Sequence, residues 1–214
     1  MPNLPISSLP ELASSALTIN AEFAVAQGGT TYKIKNGNLS PYPTVYGLFT
    51  QTGTSTTVSG TSEQSIINGG TGYLTVGPNQ FKVGDTFHAV IRGHLSNNND
   101  NMTIRVKGGS GSTTLADTGS INYNTSADNV LMSLDIYFII QSIGGAGSAQ
   151  ILTKGCLNTV KNSNFTTNGY VFETVNNTTF DTTISNNLDV TWQFDATDAS
   201  TYMYSEFFTL VKLY

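Results

Sequence analysis

Charge is scarce in this chain: Asp, Glu, Lys and Arg make up 11% of its 214 residues, against roughly 25% in ordinary soluble proteins. The nine basic residues form no cluster and the net charge is −5, which removes the electrostatic footprint for a phosphate backbone or an anionic membrane. No nucleic-acid partner is expected. Cysteine is reduced to Cys156, so an intrachain disulfide is excluded and packing must supply the stability. No apolar run approaches the ~20 residues of a membrane span, and the opening MPNLPISSLPEL lacks the basic and apolar regions of a signal peptide. A soluble cytosolic product without membrane insertion is expected. Six Asn-x-Ser/Thr sites, at Asn38, Asn101, Asn124, Asn164, Asn176 and Asn177, are read as a by-product of the Asn/Thr bias rather than as glycosylation.

Catalytic and metal-binding patterns are also missing. His88 and His94 stand six positions apart on one face of a strand, a separation of about 20 Å at ~3.3 Å per residue, so they cannot share a metal. Zinc spacings and a GxSxG elbow are absent. Asp181, Asp189, Asp195 and Asp198 are the densest acids. Paired carboxylates can hydrolyse sugars, but Asp in the Ala/Thr/Ser-rich stretch around 195–198 is better explained as turn-forming. NNNDN (97–101) lacks the Gly and terminal Glu of an EF-hand and reads as a hairpin tip. The glycine clusters at 69–72, 108–111 and 144–147 lack the phosphate-loop pattern and read as hairpin loops, and Cys156 reads as a small hydrophobe within a strand. The expectation is a non-enzyme with no cofactor.

What is abundant is threonine, with 31 copies against 23 charged residues in all. Together with Tyr, Phe, Val and Ile it suits pleated, half-buried strands, and Gly, Asn and Ser suit the turns between them. From Thr44 onward about eleven strand-like runs recur, which favours an antiparallel sandwich or jelly roll over a parallel α/β sheet. The first 36 residues differ. They hold Pro2, Pro5 and Pro10, a possible helical turn at ELASSAL, and AEFAVAQGGTTYKI, which reads as a hairpin turning at Gly28-Gly29. The division is expected near residue 40, between an arm (1–40) and a β domain (41–214).

Side chains alternate across a strand, and two runs are apolar on both faces. In LMSLDIYFIIQSI, Met132, Leu134, Ile136, Phe138 and Ile140 line one face, while Tyr137, Ile139 and Ile143 lie on the other. In the closing MYSEFFTLVKLY, Phe207, Val211 and Leu213 are expected on one side and Tyr204, Phe208, Leu210 and Tyr214 on the other. By contrast, Leu188, Val190, Trp192 and Phe194 alternate with polar residues, as in an outer sheet facing water. One sheet thus needs a further layer, supplied by a second copy of the chain or by loops of the same subunit.

Two stretches resemble known virion proteins. Ile6, Ser7, Leu9, Pro10, Leu17, Thr18, Glu22 and Gln27 to Lys33 resemble the leader of phage tail-fibre and related proteins, departing from it at Asn20 and Ala24, where Gly and Pro are common. Residues 79–96, 175–194 and the aromatic ending are similar to the C-terminal jelly rolls of phage and large-virus appendage proteins. The resemblance implies a tumour-necrosis-factor-like jelly roll, usually trimeric, displayed on a capsid or tail. Its arm would attach to other virion proteins, with Ile6, Leu9, Leu17, Phe23, Val25 and Tyr32 as contacts. A homotrimer contact through Tyr204, Phe208, Leu210 and Tyr214 is expected. Host glycans or a surface receptor would be bound at loop tips, with Tyr123 and Tyr170 as candidate stacking residues. A capsid cement protein and a tail-associated carbohydrate-active enzyme are the alternatives.

Overall fold

The structure, a computed structural model, describes residues 22–27, 30–35, 46–123, 126–160 and 167–214. Two compact units divide the chain, Met1–Thr44 and Val45–Tyr214. In the first, β1 (Glu22–Gln27) and β2 (Thr30–Lys35) pair antiparallel, with Phe23 opposite Ile34 and Val25 opposite Tyr32. Ile6, Leu9, Leu17 and the ELASSAL stretch lie outside the described residues.

The second unit is all β among the described residues. Its strands are β3 (Tyr46–Gln51), β4 (Val58–Ser59), β5 (Gln64–Ser65), β6 (Gly70–Gly72), β7 (Thr75–Val76), β8 (Thr86–Asn98), β9 (Asn101–Gly108), β10 (Thr113–Asp117) and β11 (Ile121–Asn122). There follow β12 (Ser126–Ser142), β13 (Gln150–Val160), β14 (Thr167–Asn176), β15 (Asn186–Asn187), β16 (Asp189–Phe194) and β17 (Tyr202–Lys212). A large sheet has the order β14-β13-β12-β8-β17-β3-β6, with β4 beside β17. A smaller one runs β10-β9-β16-β5, with β11 beside β9, and all pairings are antiparallel. Among its passages between the sheets, the chain crosses directly from β8 to β9 and from β16 to β17.

Alternation builds the core. Ala89, Ile91 and Leu95 of β8, Leu134, Ile136, Phe138 and Ile140 of β12, Ile104 and Val106 of β9, and Val190, Trp192 and Phe194 of β16 are buried in one cluster. Leu188 packs against it half-buried. Each large apolar side chain so buried contributes about 1.5–3 kcal/mol. The glycine loops at 108–111 and 144–147 turn between paired strands, with Gly109, Gly111, Gly144 and Gly147 at positive φ. Residues 97–101, with Asn99 at positive φ, form no hairpin tip and instead join β8 of the large sheet to β9 of the small one.

Two further expectations are corrected. The glycine cluster at 69–72 is not a hairpin loop: Gly70–Gly72 is β6, paired with β3. A Cβ at Gly72 would collide with the Leu48 carbonyl oxygen, so glycine here permits close backbone approach.

The second correction concerns β17. A β-bulge lies between Ser205 and Phe207, and it reverses the alternation expected for the whole run. Met203 and Ser205 point inward before it, Phe208 and Leu210 after it. Tyr204 is therefore on the opposite face from Phe208 and Leu210, which are core residues and unavailable to a partner. Buried partners hold the bulge: the Ser205 hydroxyl donates to the Ile66 carbonyl at 2.5 Å, its N–H donates to Ser55 Oγ at 2.9 Å, and Gln51 Nε2 donates to Ser205 Oγ at 3.1 Å.

Candidate interaction face

The outer faces of the two sheets differ in chemistry. On the small sheet, Thr103, Arg105 and Lys107 of β9 and Asp189, Thr191 and Gln193 of β16 point away from the core. Glu63 ties them together. It accepts from the Thr191 hydroxyl at 2.6 Å and pairs with Lys107 at 3.2 Å and Arg105 at 3.4 Å, while Arg105 also pairs with Asp117 at 2.8 Å. Burial pushes the Glu63 carboxyl up, but Thr191, Lys107 and Arg105 outweigh it and hold the group below its ordinary 4.5. Asp189 behaves oppositely: burial, aided by the Glu63 charge, raises it despite the hydrogen bond from Ser65.

The large sheet presents an apolar outer face. Its register aligns Val175, Leu152 and Ile139 in one row, Glu173, Lys154, Tyr137, His88 and Val211 in the next, and Val171, Cys156, Asp135, Val90 and Thr209 in a third. Leu131 and Tyr204 flank His94 at the far end, and Phe207 lies opposite Arg92. Val171 is 74% exposed and Leu131 61%, and Tyr137, Val175 and Phe207 are also exposed. Half of the large exposed apolar side chains of the described residues thus share one face. Among the described residues, no loop of the same unit covers them.

Few charges interrupt this surface. Lys154 pairs with Glu173 at 2.9 Å, and His88 Nε2 lies 3.2 Å from Asp135 Oδ1. Arg92 is exposed and has no ion-pair partner among the described residues. Tyr214, exposed at the end of the chain, holds the lower rim, its carbonyl accepting from the Thr86 N–H at 3.2 Å.

Both proposed glycan-stacking residues are placed elsewhere. Tyr123 is buried, its hydroxyl 3.0 Å from Thr159 Oγ1. Tyr170 is half-buried and donates to the Thr118 carbonyl at 3.0 Å. An alternating pattern around each tyrosine would have warned of burial, but both sit beside Asn- and Gly-rich turns.

The acids weighed for catalysis have structural partners. Asp195 accepts from the Asn101 N–H and side-chain amide at 2.9 and 2.7 Å, and Asp198 accepts from the Ser200 N–H and from Asn98. Those bonds hold Asp198 below the usual carboxylate range, the Ser200 N–H contributing most. They brace the turn at 97–101 against the β16–β17 connection. Among the described residues, no three His, Cys, Asp or Glu side chains are grouped to hold a metal.

No protein-family model, curated protein or solved structure matches the chain.

Proposed function

We propose that this chain is a non-enzymatic viral structural protein, a short fibre or decoration knob whose β domain is a jelly roll that assembles as a homotrimer and serves host attachment. The observation that carries the reading is the exposed apolar outer face of the large sheet. Five strands at about 4.8 Å and some nine residues at about 3.4 Å give a face of roughly 24 by 30 Å, or about 700 Å². A standard interface takes about 800 Å² per partner. Its composition also suits a second copy. Arg92 and Lys154 against Asp135 and Glu173 leave it near neutral, although the chain carries −5, and Arg92, unpaired among the described residues, can meet a carboxylate of the neighbour.

The antiparallel two-sheet arrangement, with the terminal strand inside the large sheet, supports the jelly-roll assignment. The N-terminal arm would join the knob to other virion proteins, and three linked copies would raise the avidity of weak single sites by orders of magnitude. Light scattering at micromolar concentration tests the assembly. A mass near three times 22.8 kDa that falls on truncation after Val211 is expected, and a stable monomer would overturn the trimer. Particles lacking the protein should lose adsorption before shell stability; the reverse order would identify a cement protein.

A further inference from the structure

Two β-bulges converge on His94. On β12 the register slips between Ala127 and Val130, and on β17 between Ser205 and Phe207. Bulges leave residues outside the ladder and re-aim their side chains. Here the displaced residues are Asp128 and Asn129 on one side and Glu206 on the other, all exposed. Asn129 adopts φ 49°, a left-handed conformation uncommon outside glycine, and its N–H donates to Ser96 Oγ at 2.8 Å.

The result is a compact set of polar groups beside an aromatic row. His94 Nδ1 lies 3.2 Å from the Asn129 carbonyl oxygen and Nε2 lies 3.4 Å from Glu206 Oε2. The Tyr204 hydroxyl donates to Asn129 Oδ1 at 3.4 Å. Tyr204 stacks on His94 with centroids 5.3 Å apart and planes within 17°, and Tyr202 continues the row at 6.5 Å and 8°.

The shared orientation of the rings decides the ligand class. An ammonium group is best held by ring faces that surround it, whereas parallel rings favour a flat partner such as the C–H face of a pyranose. The Glu206 carboxylate and the Asn129 amide supply planar acceptors and donors for sugar hydroxyls. Asp128 and Glu206 together exceed the charge that His94 can offset, which disfavours acidic sugars. We propose that Tyr202, Tyr204, Asn129 and Glu206 form a binding site for a neutral saccharide. The inference deepens the attachment reading above and rests on it for the source of the glycan.

Saturation-transfer NMR on the full chain tests it, with maltotriose, mannotriose and chitotriose as neutral probes and sialyllactose as the acidic one. Transfer from at least one neutral probe is expected, with affinity reduced about tenfold by Glu206→Gln, which removes a hydrogen bond to a charged group. Tyr202→Ala should reduce it comparably, and Tyr204→Phe, which keeps the ring, should reduce it less. Thermal melting and solution mass of each variant separate loss of the site from loss of fold or assembly. A trimer that takes up none of the neutral probes would overturn the site and leave the knob reading standing. Equal transfer in wild type, Glu206→Gln and Tyr202→Ala, or preference for sialyllactose, would also overturn it.

Discussion

The imidazole of His88 lies face to face with the phenol ring of Tyr137, centroids 4.2 Å apart and planes within 4°. The pair joins β8 to β12 in the middle of the outer face, with Asp135 fixing the imidazole from the same strand as the tyrosine. Tyr137 is nevertheless 42% exposed, so its outer half is available to a neighbour. Tyr137→Glu should lower the solution mass toward that of a single chain. It should change unfolding free energy by only about 1 kcal/mol, because little of the single-chain core is touched. Light scattering combined with urea melts would check both halves of this expectation.

Residues on opposite sides of the β17 bulge should respond differently to truncation. Phe208→Ala removes a fully buried ring that contacts Phe49 at 5.7 Å and should cost about 3–5 kcal/mol. Tyr204→Ala should cost far less in unfolding. Comparable losses at the two positions would mean that the strand faces are not arranged as described.

Gly93 stands opposite Ser205, where the bulged backbone approaches β8. A Cβ there would collide with the Tyr204 carbonyl oxygen and approach Ser205 Cα to 2.7 Å. Gly93→Ala should therefore destabilise by about 2 kcal/mol or more through backbone displacement, read as a lower melting temperature.

The small sheet should carry an acid-dependent part of the stability. Glu63 is held below its ordinary 4.5, so its contribution is present above that pH and disappears as pH falls through the lower, folded-state value. Glu63→Gln should cost roughly 1 kcal/mol near neutrality and much less at pH 3. Asp189 has the reverse sign. Its folded-state value is raised above 3.8, so the stability it contributes is full below 3.8 and is lost as pH rises through the folded value. Asp189→Asn should match or exceed the wild type at pH 7, with the difference closing in acid. Urea melts of both variants from pH 3 to 7 would check the two signs.

Much of the β architecture was legible because alternation is a local property. Strands β8, β9, β13 and β16 lie in the region from Thr44 onward where strand-like runs recur, and Phe138, Val190, Trp192 and Phe194 are in the core as their spacing implied. Residues 64–65 and 75–76 form only two-residue pairings, the second with a partner, β15, that is itself two residues long. The bulges were not legible: each depends on which residue the neighbouring strand presents, and a sequence does not display its cross-strand neighbours. The same blindness put Phe208 and Leu210 on the wrong face and left the Asn129–His94–Glu206 cluster unseen, since its members are 35 and 112 positions from His94 along the chain.

The Glu63 network and the bare apolar sheet also divide the molecule's response to ionic strength. Added salt screens charges that are solvent-accessible, so it loosens only the side where Arg105 and Lys107 are gathered. On the opposite side, salts such as sulfate strengthen apolar burial and have little charge to screen. A sulfate titration should therefore soften the small sheet while favouring the proposed contact between copies through the large one.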